Sequence, residues 1–153
     1  MKGFVATEEG HVMMLYEPLS VGAAATSDTF LMEGWAHASI VCLFGAGSGC
    51  TISVGECTSF AGSGRTAVTF RFAQEDTSGG DTLDAALARA STITIAAGSA
   101  SYAVIELDAD ELTDGYPYVQ VNLTDPGTAK LACIMAVLSG GRYQEDITAT
   151  AIV

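Results

Sequence analysis

Four acids fall within seven residues at Asp108, Asp110, Glu111 and Asp114, just ahead of Gly115. Carboxylates this close can converge on a hard cation such as calcium, which makes this turn the candidate metal site of the chain. The pattern departs from an EF-hand loop, because Leu112 holds the fifth position and no glutamate stands at the twelfth. A solvated turn, or a single helical turn between two strands, explains the same residues with simpler chemistry. Paired glycosidase carboxylates belong on separate elements facing an aromatic cleft. A single turn and one tryptophan argue against that use.

Other chemistry is sparser. The two histidines are His11 and His37, and the spacing of neither supports a triad. Neither Ser48 nor Ser63 sits in the glycine frame of a nucleophile elbow. The loops GAGSG at 45–49 and GSGRT at 62–66 lack the Gly-Lys-Ser/Thr ending that a phosphate loop needs, so both read as turns. Cys42, Cys50, Cys57 and Cys133 contain no zinc-type pair spacing. Cys42 and Cys133 read as small buried side chains within strands. Cys50 and Cys57, nearer turns, are the candidate disulfide, joined to each other or across a subunit boundary. No catalytic residue and no cofactor is expected, and the chain is read as a non-enzyme.

The elements that would position these residues are strands. In 118–124, Val119, Val121 and Leu123 alternate with polar residues, the period of a strand with one buried face. Its neighbours, 103–107 and 131–138, are almost continuously apolar, which suits strands covered on both faces. Residues 36–44 and 50–60 read as a hairpin closed by the glycine loop, with Ile40, Cys42, Cys50, Ile52 and Val54 on one face. A third strand spans 67–72, with Val68, Phe70 and Phe72 on one side, and strand composition returns at 91–97. The segment 82–90, TLDAALARA, has the only helical composition and reads as one helix of two turns or an irregular crossing. Residues 147–153 suit a final edge strand. The count of eight to ten short strands predicts an all-β fold, a β-sandwich or jelly-roll-like barrel of antiparallel strands with at most one short helix. Residues 1–25 read as a partly ordered N-terminal arm, able to lie on a neighbouring subunit, and 26–153 as one sandwich domain.

Composition narrows the partners. With 153 residues, 49% hydrophobic and 17 glycines, the chain can form one turn-rich domain with a real core. Eighteen acids against six scattered bases give a net charge of -12, which disfavours nucleic acid and suits a neutral or basic protein partner. No run approaches a membrane span, and the N-terminus MKGFVATEEG breaks into acids before a signal core forms. Synthesis in the host cytoplasm with reduced cysteines is the expectation.

The order of segments carries a resemblance. FLMEGWAHASIVCLFGAG is followed by YAVIELDADELTDGYPYVQVNL and DPGTAKLACIMAVLSGGRY. Together they resemble small virion structural proteins of tailed bacteriophages of the capsid decoration or cement kind. The resemblance implies a β-rich protein on the outer head surface of the virion, bound to the major capsid protein and self-associated as a homotrimer. It brings no catalytic residue. A tail- or head-fibre module binding host-surface glycans is the alternative, and would present Trp35, Tyr116, Tyr118 and Tyr143 as an exposed aromatic patch.

Overall fold

A computed structural model describes residues 5–77, 79–84, 88–141 and 152. After one helical turn at Ala6–Glu9 come β1 (Gly10–Val21), β2 (Ala25–Thr26), β3 (Phe30–Leu31), β4 (His37–Phe44), β5 (Cys50–Cys57) and β6 (Thr66–Ala67). The chain continues through β7 (Phe70–Glu75), β8 (Ala88–Ala90), β9 (Thr92–Ile95), β10 (Ser101–Asp108), β11 (Tyr118–Leu123) and β12 (Lys130–Ser139). The first sheet runs β1-β12-β4-β10-β7-β8; the second runs β2-β11-β5-β6, with β3 on β11 and β9 on β5. All pairings are antiparallel. The fold is the expected all-β sandwich.

Its core follows from period-two alternation. Ala38, Ile40, Cys42 and Phe44 on β4, Ala103, Ile105 and Leu107 on β10, and Ala132, Ile134, Ala136 and Leu138 on β12 point inward from the first sheet. Ile52 and Val54 on β5, Ile93 and Ile95 on β9, and Val119, Val121 and Leu123 on β11 meet them from the second. Each fully buried aliphatic side chain contributes roughly 1.5–3 kcal/mol relative to exposure.

Several expectations change in three dimensions. The loop at 45–49 does not close a hairpin, because β4 and β5 lie in different sheets. The loop is an arch: backbone hydrogen bonds run both ways between Gly47 and Gly98 (3.1 and 2.7 Å), and Gly47 has φ +151°. Both flanking strands have one apolar face, and crossing the sandwich lets those faces meet, whereas a hairpin would have set them side by side. The run 67–72 likewise divides, with β6 in the second sheet and β7 in the first. The three strands near the C-terminus are not neighbours, since β10 and β12 belong to the first sheet and β11 to the second.

The helical expectation at 82–90 fails where it can be checked. Ala88–Ala90 form β8 and pair with Phe70–Phe72, while 85–87 lie outside the described residues. Alanine's helix preference is at most a few tenths of a kcal/mol per residue over most competitors, and sheet-edge hydrogen bonds outweigh it over so short a span. Most of the tail expected as a last strand is also outside the described residues; Ile152 makes an antiparallel bridge with Phe30.

The segment read as an arm is also different. Residues 10–21 form the edge strand β1, paired along β12 with irregularities between Met14 and Tyr16 and between Tyr16 and Leu19. Met13, Leu15 and Val21 enter the core. The irregular spacing of apolar residues around Pro18 masks this alternation in the sequence.

Deletion of residues 1–20 is therefore expected to abolish cooperative unfolding or cause aggregation, because it removes core side chains and uncovers β12; circular dichroism melting checks this. Within β12, Ile134→Ala should cost about 3 kcal/mol in denaturant titrations, and Leu131→Ala, outward and 58% exposed, about 0.5 kcal/mol or less.

Candidate functional site

The strands that build the core also decide what the first sheet shows on its outer face. Opposite residues of an antiparallel pair share a side. Register therefore places His37, Ser39, Val41 and Leu43 of β4 beside Asp108, Glu106, Val104 and Tyr102 of β10. On the other flank of β4 stand Ser139, Val137, Met135, Cys133 and Leu131 of β12, followed by Val12 and Met14 of β1. The face is thus polar at the His37 end and apolar over the rest.

At the polar end, His37 is held between two carboxylates. Its Nδ1–H donates to Oδ1 of Asp108 at 2.6 Å and its Nε2–H to Oε2 of Glu106 at 2.7 Å. Ser39 donates to the same Glu106 oxygen at 2.7 Å, and Arg71 of β7 donates to Oδ2 of Asp108. The backbone N–H of Asp108 donates to Glu111, whose other oxygen accepts from Arg89 at 2.7 Å. Burial alone would push the imidazole down, but the hydrogen bonds and charges of Asp108 and Glu106 outweigh it and hold the pKa above the ordinary 6.5. Both ring nitrogens are thus tied to carboxylate oxygens on the same sheet.

The candidate calcium residues do not converge. Asp108 and Glu111 accept hydrogen bonds from cationic side chains, and the turn itself is one 3-10 turn, Ala109–Glu111. Among the described residues there is no group of three or more His, Cys, Asp or Glu side chains placed to hold a metal. The proposed Cys50–Cys57 bond is excluded within one chain. The two residues end the same strand, so about 3.3 Å per residue puts them some 23 Å apart, against the 4.4–6.8 Å a disulfide needs. Both are buried, and burial pushes both thiols up. Burial likewise pushes Cys42 to about 12. Cys133, on the outer face, is the one half-buried cysteine.

The aromatic residues expected at a glycan surface are dispersed. Trp35 is buried, with its ring 6.0 Å from that of His11. Tyr118 packs on Phe60 at 4.5 Å on the second sheet, Tyr116 is half-buried, and Tyr143 lies outside the described residues.

Sequence reading missed the outer face itself. Val12, Met14, Leu43 and Leu131 are 42–58% exposed, and Val41, Val104, Cys133, Met135 and Val137 are half-buried between them. Its signal was present in the unbroken apolar run of 131–138. At the Leu131 end the face deepens into a cleft of about 500 Å³ between Pro18 and the residues Thr77, Gly79 and Gly80, lined also by Leu43, Tyr102 and Leu131. Glu75 accepts the backbone N–H groups of Thr77 (2.7 Å) and Thr82 (3.1 Å). The Thr77 bond above all holds its carboxyl below the ordinary 4.5.

Comparison with solved structures supports the fold. The crystal structure of the SPBc2 prophage-derived protein YomS is similar at a TM-score of 0.55 and 9% identity, covering 84% of this chain and 93% of that one. The N-terminal cellulose-binding domain of Cellulomonas fimi β-1,4-glucanase C follows at 0.32 and 10%, covering 89% of this chain and 80% of that one. A family two carbohydrate esterase from Cellvibrio japonicus gives 0.29 and 13%, covering 86% of this chain and 34% of that one. The last two scores are too low to bear on function. No protein-family model matches the chain, and neither does any curated protein sequence.

A pH test follows from the bracket. The raised His37 pKa contributes stability that is full below 6.5 and is lost as pH rises through the higher folded value. His37→Gln should cost about 1 kcal/mol at about pH 5.5, after allowing for solvent screening of a half-exposed cluster, and the difference should shrink on the alkaline side. Urea titrations across that range check the sign.

Proposed function

We propose that this chain is a non-enzymatic structural protein of a phage particle, and specifically a capsid decoration protein. It binds the major capsid protein on the outer head surface and stabilises the shell. The observation carrying this reading is the first sheet's uncovered face. β12 is apolar on both sides, and Val41 and Leu43 of β4 with Val12 and Met14 of β1 extend its outer apolar side; among the described residues nothing covers it, which leaves Leu43, Leu131, Met14 and Val12 in contact with water. Apolar faces of this extent commonly mark interaction surfaces.

Two further points support it. The fold is shared with a prophage-derived protein. The histidine that could have served catalysis is bonded at both ring nitrogens. Many identical copies on a symmetric shell, alone or as the trimers that the sequence resemblance implies, would bind by avidity without any chemically distinctive residue.

The test uses undecorated heads of the phage that encodes the chain. Purified protein should bind in a fixed ratio by co-sedimentation, and Met135→Glu, which introduces a charge into the middle of the face, should reduce binding at least about tenfold while leaving the melting transition cooperative. Heads that take up the variant as readily as the parent would remove the face from the interface, and heads that bind neither would remove the decoration reading.

A further inference from the structure

The reading above leaves open what chemistry the partner surface must have, and the charges on this chain decide it. Over β1, β12 and β4 the face from Val12 to Leu43 bears no charged side chain. Exposed carboxylates border it at Glu8 and Glu9 ahead of β1 and at Glu17 in the irregular stretch of β1, while Glu75, Glu106 and Asp108 are engaged by the chain itself. The described cations are all engaged internally. Arg65 donates to Ser53 at 3.0 Å, Arg71 to Asp108 and Arg89 to Glu111, while Lys130 is buried with Nζ 3.3 Å from the carbonyl of Ala96. His37 is engaged in the same way.

The chain therefore brings to an interface an apolar centre with carboxylates at its border, and among the described residues no uncommitted cation. A second copy would set the same carboxylates against these with no described cation to pair them, and each copy carries a net charge of -12. From this charge complementarity we propose that the outer face of the first sheet docks onto a different protein, whose surface has an apolar centre flanked by Lys or Arg. The proposal rests on the reading of the face as the particle contact and adds the partner's chemistry to it. Apolar burial supplies most of the affinity, while the charged border sets orientation, association rate and salt dependence.

Cys133 supplies the readout, because it lies in the middle of this face while Cys42, Cys50 and Cys57 are buried. The full chain is treated with a thiol reagent alone and with synthetic strand peptides alternating Leu with Lys, Leu with Glu, or Ser with Lys. Its mass is measured by light scattering at the same concentrations. Loss of the fast reaction in Cys133→Ser identifies the reporting thiol.

The free protein is expected to show a reactive Cys133. The Leu/Lys peptide alone should slow the reaction by roughly tenfold, equivalent to about 1.4 kcal/mol. That protection should weaken from about 0.01 M to about 1 M salt, as the screening length falls from ~30 to ~3 Å. Leu131→Glu, at an exposed position, should remove protection without loss of fold.

Equal protection by the Leu/Glu or the Ser/Lys peptide would overturn the stated chemistry, as would no protection by any of the three. An oligomer in which Cys133 is already shielded, and which Leu131→Glu disperses, would assign the face to a second copy instead. Because the peptide experiment uses no heads, failure of head binding with peptide protection intact would remove the virion reading and leave this one standing.

Discussion

Closure of the two sheets over one another is the constraint from which the remaining features follow. The arch at 45–49 takes β4 out of the first sheet and returns the chain as β5 in the second, so Phe44 and Cys50 enter the same core from opposite layers. Gly49 has no room for a side chain there: a Cβ would lie 2.9 Å from the carbonyl oxygen of Ile95. The switches between β6 and β7 and between β10, β11 and β12 repeat the crossing, so most of the long strands pair with partners distant in sequence, while β5 with β6 and β7 with β8 remain local pairs. Each crossing stacks inward-facing side chains that are distant in sequence. Apolar burial between the layers thus stabilises the fold more than local turn preference does.

Closure also leaves two outer faces of different character. On the second sheet, Thr51 and Ser53 of β5 lie beside Thr94 and Thr92 of β9 and beside Asn122 of β11, while Phe60 covers Tyr118. Arg65 lies over Gly55, where a Cβ would come 2.6 Å from its Nε. That face is polar and partly covered by the chain's own loop. Among the described residues the first sheet has no such cover over Val12, Met14, Leu43 and Leu131. A protein with a net charge of -12 stays dispersed through its acids, and an uncharged face within such a surface is where a partner can approach without meeting like charge.

The charged cluster around His37 belongs to this arrangement as a cross-strand brace. It links β4, β10 and β7 on the outer side, at the end of the sheet where the apolar residues stop. Its two carboxylates are engaged by the imidazole and the guanidinium, so they are committed within the sheet they brace. Its bonds connect residues far apart in the chain but directly or diagonally opposite in register, which is why no spacing motif signals it.

The all-β class and the inward alternation at 118–124 were determined by the sequence itself, because side-chain period and residue type are local properties. The unbroken apolar run at 131–138 was equally legible, and it already contained the two-sided hydrophobicity that leaves one face uncovered. Only the tertiary structure decided which runs share a sheet, that residues 10–21 pair with β12, that 88–90 extend an edge, and that Cys50 and Cys57 stand at opposite ends of one strand. It also decided that His37, Glu106, Asp108 and Arg71 meet. Pairing and burial are relations between distant segments, and a loop such as GAGSG is compatible with a hairpin or an arch until the faces it joins find something to pack against.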